Sequence, residues 1–469
     1  MKIISTLTLC LIICMTTFAQ GSNRGQLQVT PNGRFLQYAD GTPFFWLGDT
    51  GWELFHRLTP EEIEQYLDNR QAKGINVIQS VILAELDGLR VPNKQGDHPF
   101  IDMDPDKPNK DYFALVDEVV RMAEERNMIM ALLPTWGDKV TLAYGGAGPV
   151  IFTPEKAYRY GMFLGKRYKE KTNIVWILGG DRPPQDDKND WKPVYEAMAK
   201  GIDDGAEKHT LKTFHPGGSI WESSPFLHQQ SWMDFNMNQS GHAAKDQPVW
   251  NTIARDWSLQ PAKPTIDGEP CYEDHPVNPW PTWDPSRGYF RDYEVRKQIY
   301  RSVFAGAFGV TYGHHAMWQF YNPGVEKINY PDRYWYEALD RPGAYQAGYL
   351  RRLIESRPYL NRIPDQGIIK EGQGEKGEYI TAFRDGEGSY LMVYLPVGKT
   401  ITVDPTSVQS RSVKCWWFNP RNAETKYIGK LKKRDSMLFT PPTLGVGNDW
   451  VLVIDNNNMK YHNLGVETK

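Results

Sequence analysis

Short apolar runs recur along the first three quarters of the chain. Between them, apolar positions return every three or four residues. The runs are Phe44–Gly48, Ile75–Leu83, Met128–Trp136, Asn173–Asp181, Leu211–Gly218, Phe235–Ser240, Lys263–Glu273 and Gly309–Trp318. Near-continuous apolar runs of this length are the pattern of strands covered on both faces. The intervening segments read as helices. One starts at Thr59-Pro60, with Thr as N-cap and Pro in the first turn. Others cover Tyr112–Asn127, Pro154–Lys171 and Tyr293–Phe308. Eight strands alternating with helices predict an α/β fold, a (β/α)8 TIM barrel rather than an open doubly wound sheet. No GxGxxG and no Walker-type lysine loop follows a strand, so a nucleotide-binding alternative lacks its phosphate loop.

The pattern changes at both ends. Before the first run, LQVTPNGRFLQYADGTP alternates and turns at Pro31-Asn32-Gly33 and Asp40-Gly41, which reads as a hairpin. Past about Leu353 the helical spacing stops. GEYITAFRD, GSYLMVYLP, KTITVD, VKCWWFNP and DWVLVID alternate or are β-rich, and predict a small all-β antiparallel sandwich. The joint, Ser356–Gln366, holds two prolines and reads as a linker. The expected organisation is therefore a signal peptide over residues 1–19, a barrel with its hairpin over 20–355, and a β-sandwich over 356–469.

The signal peptide rests on Lys2, the uncharged run Ile3–Ala19 and the small-x-small site Thr17-Phe18-Ala19. It predicts a secreted or periplasmic protein. A lipoprotein anchored at Cys14 ranks second, because Ile13 stands where a small residue is wanted. Cleavage would leave Cys271 and Cys415, far apart in the chain and with no disulfide framework or metal-type spacing. No later run is long and apolar enough to span a bilayer.

Composition narrows the partners. The chain has 469 residues and a formal net charge of −3, so it lacks the electrostatic footprint of a nucleic-acid binder. Its 16 Trp, 25 Tyr and 19 Phe fit either a large aromatic core or an aromatic-lined groove. No cofactor and no metal site is expected, and the oligomeric state stays open.

In a barrel, the C-terminal strand ends face the functional site. The fourth run ends WILGGD, where two glycines allow a bend that projects Asp181. The seventh run ends TIDGEP, which places Glu269 at the opposite side of the mouth, with Asp267 and Glu273 as competitors. Two carboxyls flanking one bond are the equipment of glycoside hydrolysis. Other strand ends offer contacts to a glycan: Asp49 and Trp52, Gln79, Trp136, Arg182, His215, Gln239, His314 and Trp318. Trp stacks on sugar faces, while His, Gln and Asp read hydroxyls.

FFWLGDTGWELFHRLTPEEIEQYLDNRQAKGINVIQ, NIVWILGGDRP and IDGEPCYE closely resemble the apiosidase-like glycoside hydrolases of family 140. The tail, with KCWWFNPRNAE and FTPPTLGVGNDWVLVID, resembles the β-domain that follows the barrel in that family and carries a collagen-binding label. The resemblance implies a retaining endo-apiosidase acting on pectic rhamnogalacturonan-II, at the link from apiose to the galacturonic acid backbone. It implies Asp181 as acid/base and Glu269 as nucleophile. Two other readings stay open: another plant-glycan glycosidase, and a non-catalytic carbohydrate-binding or adhesion protein.

Overall fold

The computed structural model describes residues 24–217, 222–278 and 284–465; the predicted signal peptide lies outside them. Eight parallel strands form one sheet: β1 (Leu47–Thr50), β2 (Val77–Val81), β3 (Ile129–Leu133), β4 (Ile174–Gly179), β5 (Lys212–His215), β6 (Asn236–Asn238), β7 (Thr265–Asp267) and β8 (Val310–Tyr312). Seven fall inside the predicted runs, and β1 overlaps the end of its run and extends past it to Thr50. The order β5-β4-β3-β2-β1-β8-β7-β6 bends the sheet into a nearly closed barrel. At the seam between β5 and β6, the Asp234 N–H donates to Lys212 O (2.9 Å) and the Thr213 hydroxyl to Phe235 O (2.6 Å).

Alternation within each strand sorts the apolar residues into two sets. Val77, Ile129, Val175, Met237 and Ile266 fill the interior around Trp46, and the predicted hairpin adds Leu27, Leu36 and Phe44 to that cluster. That hairpin is a three-stranded antiparallel sheet, Leu27–Val29, Leu36–Tyr38 and Pro43–Phe44. Ile78, Met130, Trp176 and Phe214 face outward, onto the helices.

The longer helices are α1 (Pro60–Ala72), α2 (Lys110–Glu125), α3 (Pro154–Arg167), α4 (Lys192–Ala206), α5 (Val249–Ser258), α6 (Asp292–Phe304) and α7 (Pro342–Glu355). Thr59 caps α1 through a capping box with Glu62, as its spacing predicts.

The tail forms a six-stranded antiparallel sheet packed on a three-stranded one. Its core is Leu391, Val393, Cys415, Leu452 and Ile454. Four strands here go beyond the sequence reading: Thr425–Lys432, Met437–Phe439, Ile369–Glu371 and Arg362–Pro364, the last inside the expected linker. The first lies mostly exposed at the sheet edge and alternates lysines with apolar residues around Gly429, so it has no buried face to give it away. The opposite face of the large sheet packs on α6, where Tyr300 stacks on Tyr394 at 4.9 Å and Phe304 meets Phe383 at 4.8 Å. Two buried ion pairs cross the joint. Arg296 grips Asp449 at 2.8 and 2.9 Å, and Arg357 grips Asp455 at 2.9 and 2.8 Å. Arg357 and Arg362 are buried, so the segment read as a linker is packed rather than loose. Cys271 and Cys415 are free and buried in separate clusters.

Asp49 corrects an expectation. It was placed among the glycan contacts, yet it sits at an outward position of β1 and is fully buried. Its Oδ2 accepts from Arg70 Nε (2.5 Å) and Tyr66 OH (2.8 Å), both on α1. Strand parity turned it to the helix layer. Asp49 is thus a clamp between the barrel wall and α1. Removing one partner of a buried pair strands the other charge and typically costs about 3–5 kcal/mol. Asp49→Ala should lower the urea unfolding free energy by about that amount, while the folded fraction binds glycan as the native protein does.

Candidate active site

The C-terminal strand ends surround a cleft of about 510 Å³. Asp181 and Glu269 both line it, with Trp52, Trp136, Gln239 and Trp318.

The backbone of WILGGD makes the turn that the two glycines imply. Gly179 and Gly180 have φ of +91° and +109°, and Asp181 itself sits at φ +56°. Left-handed backbone at a non-glycine costs free energy and persists only where surroundings enforce it. Here a second glycine does so. A Cβ on Gly217, in the HPGG stretch after β5, would lie 2.1 Å from Asp181 Cα and 2.4 Å from its Oδ1. Only a bare backbone at Gly217 leaves room for the acid. The Asp181 side chain is 35% exposed and lines the cleft. Gln239 Nε2 donates to its Oδ1 at 3.0 Å.

Glu269 lies deeper and is almost wholly buried. His215 Nε2 stands 2.9 Å from its Oε2 and His242 Nε2 3.3 Å from its Oε1. Each imidazole is also oriented from behind. The Asp181 backbone N–H donates to His215 Nδ1 (3.4 Å), and that of Tyr272 donates to His242 Nδ1 (3.3 Å). An Nδ1 that accepts leaves the proton on Nε2; His242 thereby hydrogen-bonds Glu269, while His215 Nε2 lies close to Oε2 without hydrogen-bond alignment. His215 therefore links the two acids through one ring.

Electrostatics separates the acids. Desolvation raises the proton affinity of Asp181, and the nearby Glu269 charge adds to it; Arg182, His215 and Gln239 oppose without reversing the shift. Burial pushes Glu269 the same way, but His215 and His242 outweigh it and hold the carboxyl well below the usual range. One acid is thus kept ionised beside another that retains its proton more readily. Such a pair can protonate one oxygen of an acetal while presenting an anion to its carbon.

The remaining expectations divide. Trp52 and Trp136 form an aromatic floor with centroids 5.5 Å apart, and His215, expected among the glycan contacts, is buried beneath both at 5.3 and 5.7 Å because it packs against Glu269 instead. Trp318 lines the opposite wall, its indole N–H donating to His315 Nδ1 at 3.2 Å. Three more residues do not reach the cleft as expected. Gln79 is buried inside the barrel and donates to Gly268 O (2.9 Å), so it braces the backbone one residue before Glu269. His314 is buried behind the rim, 3.1 Å from Asp274, because its Nδ1 caps a helical turn at Ala316. Arg182 is buried, its guanidinium on the carbonyls of Asp181 (2.7 Å) and Gly145 (2.8 Å). It shapes the turn that carries Asp181. The two competing acids are also committed elsewhere. Asp267 accepts from Ser240 and Ser302, and Glu273 from Tyr312 and the Gly343 N–H.

Sequence reading missed Glu85, Tyr272, His275 and the segment Lys327–Tyr330, all at the cleft. His275 stacks on His242 at 4.0 Å and receives Asn329 Nδ2 at 3.0 Å. Only Glu85 left a signal, an acid just past a strand run in SVILAELDG. Among the described residues no group of three or more His, Cys, Asp or Glu converges as a metal site, and no helix is long and apolar enough to cross a membrane.

A barrel with a pair of acids and an aromatic floor at its mouth is the architecture of a glycoside hydrolase, and this chain is one. The model of the apiosidase-like catalytic domain matches residues 30–361. The chain belongs to the apiosidase-like glycoside hydrolase family. The model described as "Putative collagen-binding domain of a collagenase" matches residues 363–455. A solved glycoside hydrolase is 32% identical, with a TM-score of 0.85 over 93% of this chain and 98% of its own. A family 5 glycoside hydrolase from Bacteroides vulgatus ATCC 8482 is 30% identical, with a TM-score of 0.85 over 94% of this chain and 95% of its own. No curated protein matches the chain.

If Gly217 makes the room that Asp181 needs, a single methyl there should disable the site. Gly217→Ala should cut glycan turnover by about 100-fold, the scale of a misplaced reacting group, with the far-ultraviolet circular dichroism unchanged.

Proposed function

We propose that the chain is a retaining endo-apiosidase that cleaves the apiose–galacturonic acid linkage of pectic rhamnogalacturonan-II, after export directed by residues 1–19. The observation that carries the chemistry is that Asp181 and Glu269 line one cleft in opposed surroundings, Asp181 partly exposed beside Gln239 and Glu269 buried against two histidines. In the first step the Asp181 carboxylic acid gives its proton to the leaving glycosidic oxygen. A Glu269 oxygen attacks the anomeric carbon as that C–O bond breaks, leaving a glycosyl ester. In the second step Asp181, now a carboxylate, takes a proton from water, whose oxygen displaces Glu269. Gln239 holds one Asp181 oxygen, the His242 N–H holds one Glu269 oxygen, and the nearby His215 ring adds to the stabilisation of the Glu269 charge before attack and after release. The family supports apiose as the sugar released. Lys327 at the cleft supplies a cation suited to a uronate carboxylate. The aromatic floor offers stacking faces.

Asp181→Asn and Glu269→Gln should each lower kcat/KM on rhamnogalacturonan-II by at least about 1,000-fold. Native-like cleavage by either variant refutes the assignment. The sign of the pH dependence follows from the two shifts. Activity needs Glu269 ionised, so it falls only as pH drops through a value well below the usual carboxylate range. It needs Asp181 protonated, so it falls as pH rises through a value above that range. Proton NMR of the first-formed product should show the substrate's anomeric configuration; the opposite anomer removes retention. Cleavage of other cell-wall glycans but not rhamnogalacturonan-II would change the substrate and leave the carboxyl pair standing. Fractionation of cells expressing the full chain should place it outside the cytoplasm, and the chain without residues 1–19 inside.

A further inference from the structure

A third carboxyl stands in the cleft, and the mechanism above does not use it. Glu85 follows β2, beside the ends of β1, β3 and β4, and lines the same cavity as Asp181 and Glu269. No hydrogen bond reaches its carboxyl among the described residues; its backbone carbonyl accepts the Asp87 N–H at 2.8 Å and Lys139 Nζ at 3.5 Å. Nearby acids are all engaged. Glu53 takes the Leu86 N–H at 3.1 Å and His56 at 2.7 Å. Asp138 faces Lys139 at 2.8 Å and accepts the Gly148 N–H at 2.9 Å. Asp181 takes Gln239. A half-buried carboxyl that faces a binding cleft and is committed to no protein group presents its oxygens to whatever the cleft binds.

Resting on the cleft reading above, the geometry points to Glu85 as a substrate-contacting residue whose carboxyl hydrogen-bonds two neighbouring oxygens of the bound glycan. Its surroundings favour the neutral acid over the carboxylate. Burial, then the Asp181 and Glu53 charges, push the Glu85 carboxyl up to about 8, against the opposing Arg182, with Asp138 adding to the rise. The other titratable groups on the cleft are Glu269, His242, Tyr272, His275, Lys327 and Tyr330. An ionised carboxylate could only accept. A neutral acid both donates and accepts, which matches a pair of adjacent sugar hydroxyls. It also adds no negative charge to a cleft that already holds Glu269.

The test separates KM from kcat on whichever glycan of a plant cell-wall panel the native enzyme cleaves. Glu85→Ala should raise KM about tenfold, the scale of a lost hydrogen bond in a desolvated site, with kcat changed far less. Glu85→Gln, which keeps the volume and restores both a donor and an acceptor, should recover most of that loss. Native KM should climb as pH passes about 8, while KM of Glu85→Gln stays level there. An unchanged KM in Glu85→Ala overturns the inference. So does a Glu85→Gln variant whose KM follows pH as the native enzyme does; that second readout holds even if the alanine variant folds poorly. Run beside Asp181→Asn, the outcomes stay distinct. An inactive Asp181→Asn with a native-like Glu85→Ala sinks only the Glu85 role, whereas an active Asp181→Asn sinks the reading of the cleft itself.

Discussion

A buried anion between two imidazoles sets the character of this site. Glu269 is nearly enclosed by protein, where an unpaired carboxylate would take up a proton. It stays ionised because His215 and His242 stand within 2.9 and 3.3 Å, and because a backbone N–H behind each ring decides which nitrogen carries the proton. One of those N–H groups belongs to Asp181. The left-handed backbone that projects Asp181 into the cleft is therefore the same one that orients His215 toward Glu269. The two acids are coupled through charge, and through one ring as well.

The barrel supplies the rigidity this arrangement needs. Gln79 bonds Gly268 from inside the barrel, Arg182 ties down the turn after β4, and the Asp49–Arg70–Tyr66 clamp fixes β1 to its helix. None of these touches the solvent of the cleft. Their effect on a bound glycan passes through the residues they hold, which is how supporting shells set the precision of a catalytic pair. The β-domain is joined by paired arginines and stacked aromatics rather than a flexible tether, so the barrel and the sandwich share one packed boundary.

Much of the barrel was legible in the chain. Fully covered strands read as near-continuous apolar runs; seven fell within those runs, and β1 overlapped its run but began and ended later. Asp181 and Glu269 were legible because glycines and a proline interrupt the apolar pattern just where a strand ends, leaving an acid with no helical or strand reason to be there. Glu85 carried the same kind of mark more faintly, without a glycine pair. The edge strand of the sandwich was hidden because it buries no regular face. His275 and the Lys327–Tyr330 segment reach the cleft from loops, and loops carry no periodicity.

By itself, then, the order of residues decided which segments become strands and helices, how many layers they build, and which two acids end opposite strands. Those follow from short-range periodicity and turn chemistry. Which neighbours of those acids meet the cleft was decided only on closure. Asp49 and His314 lie at or near strand ends like the others, yet a half-turn of parity sends Asp49 to α1, and His314 is drawn behind the rim to cap a turn beside Asp274. Gln79 keeps the inward parity but sits one layer too deep. Inward and outward exist only relative to an axis, and the axis exists only once all eight strands have come together.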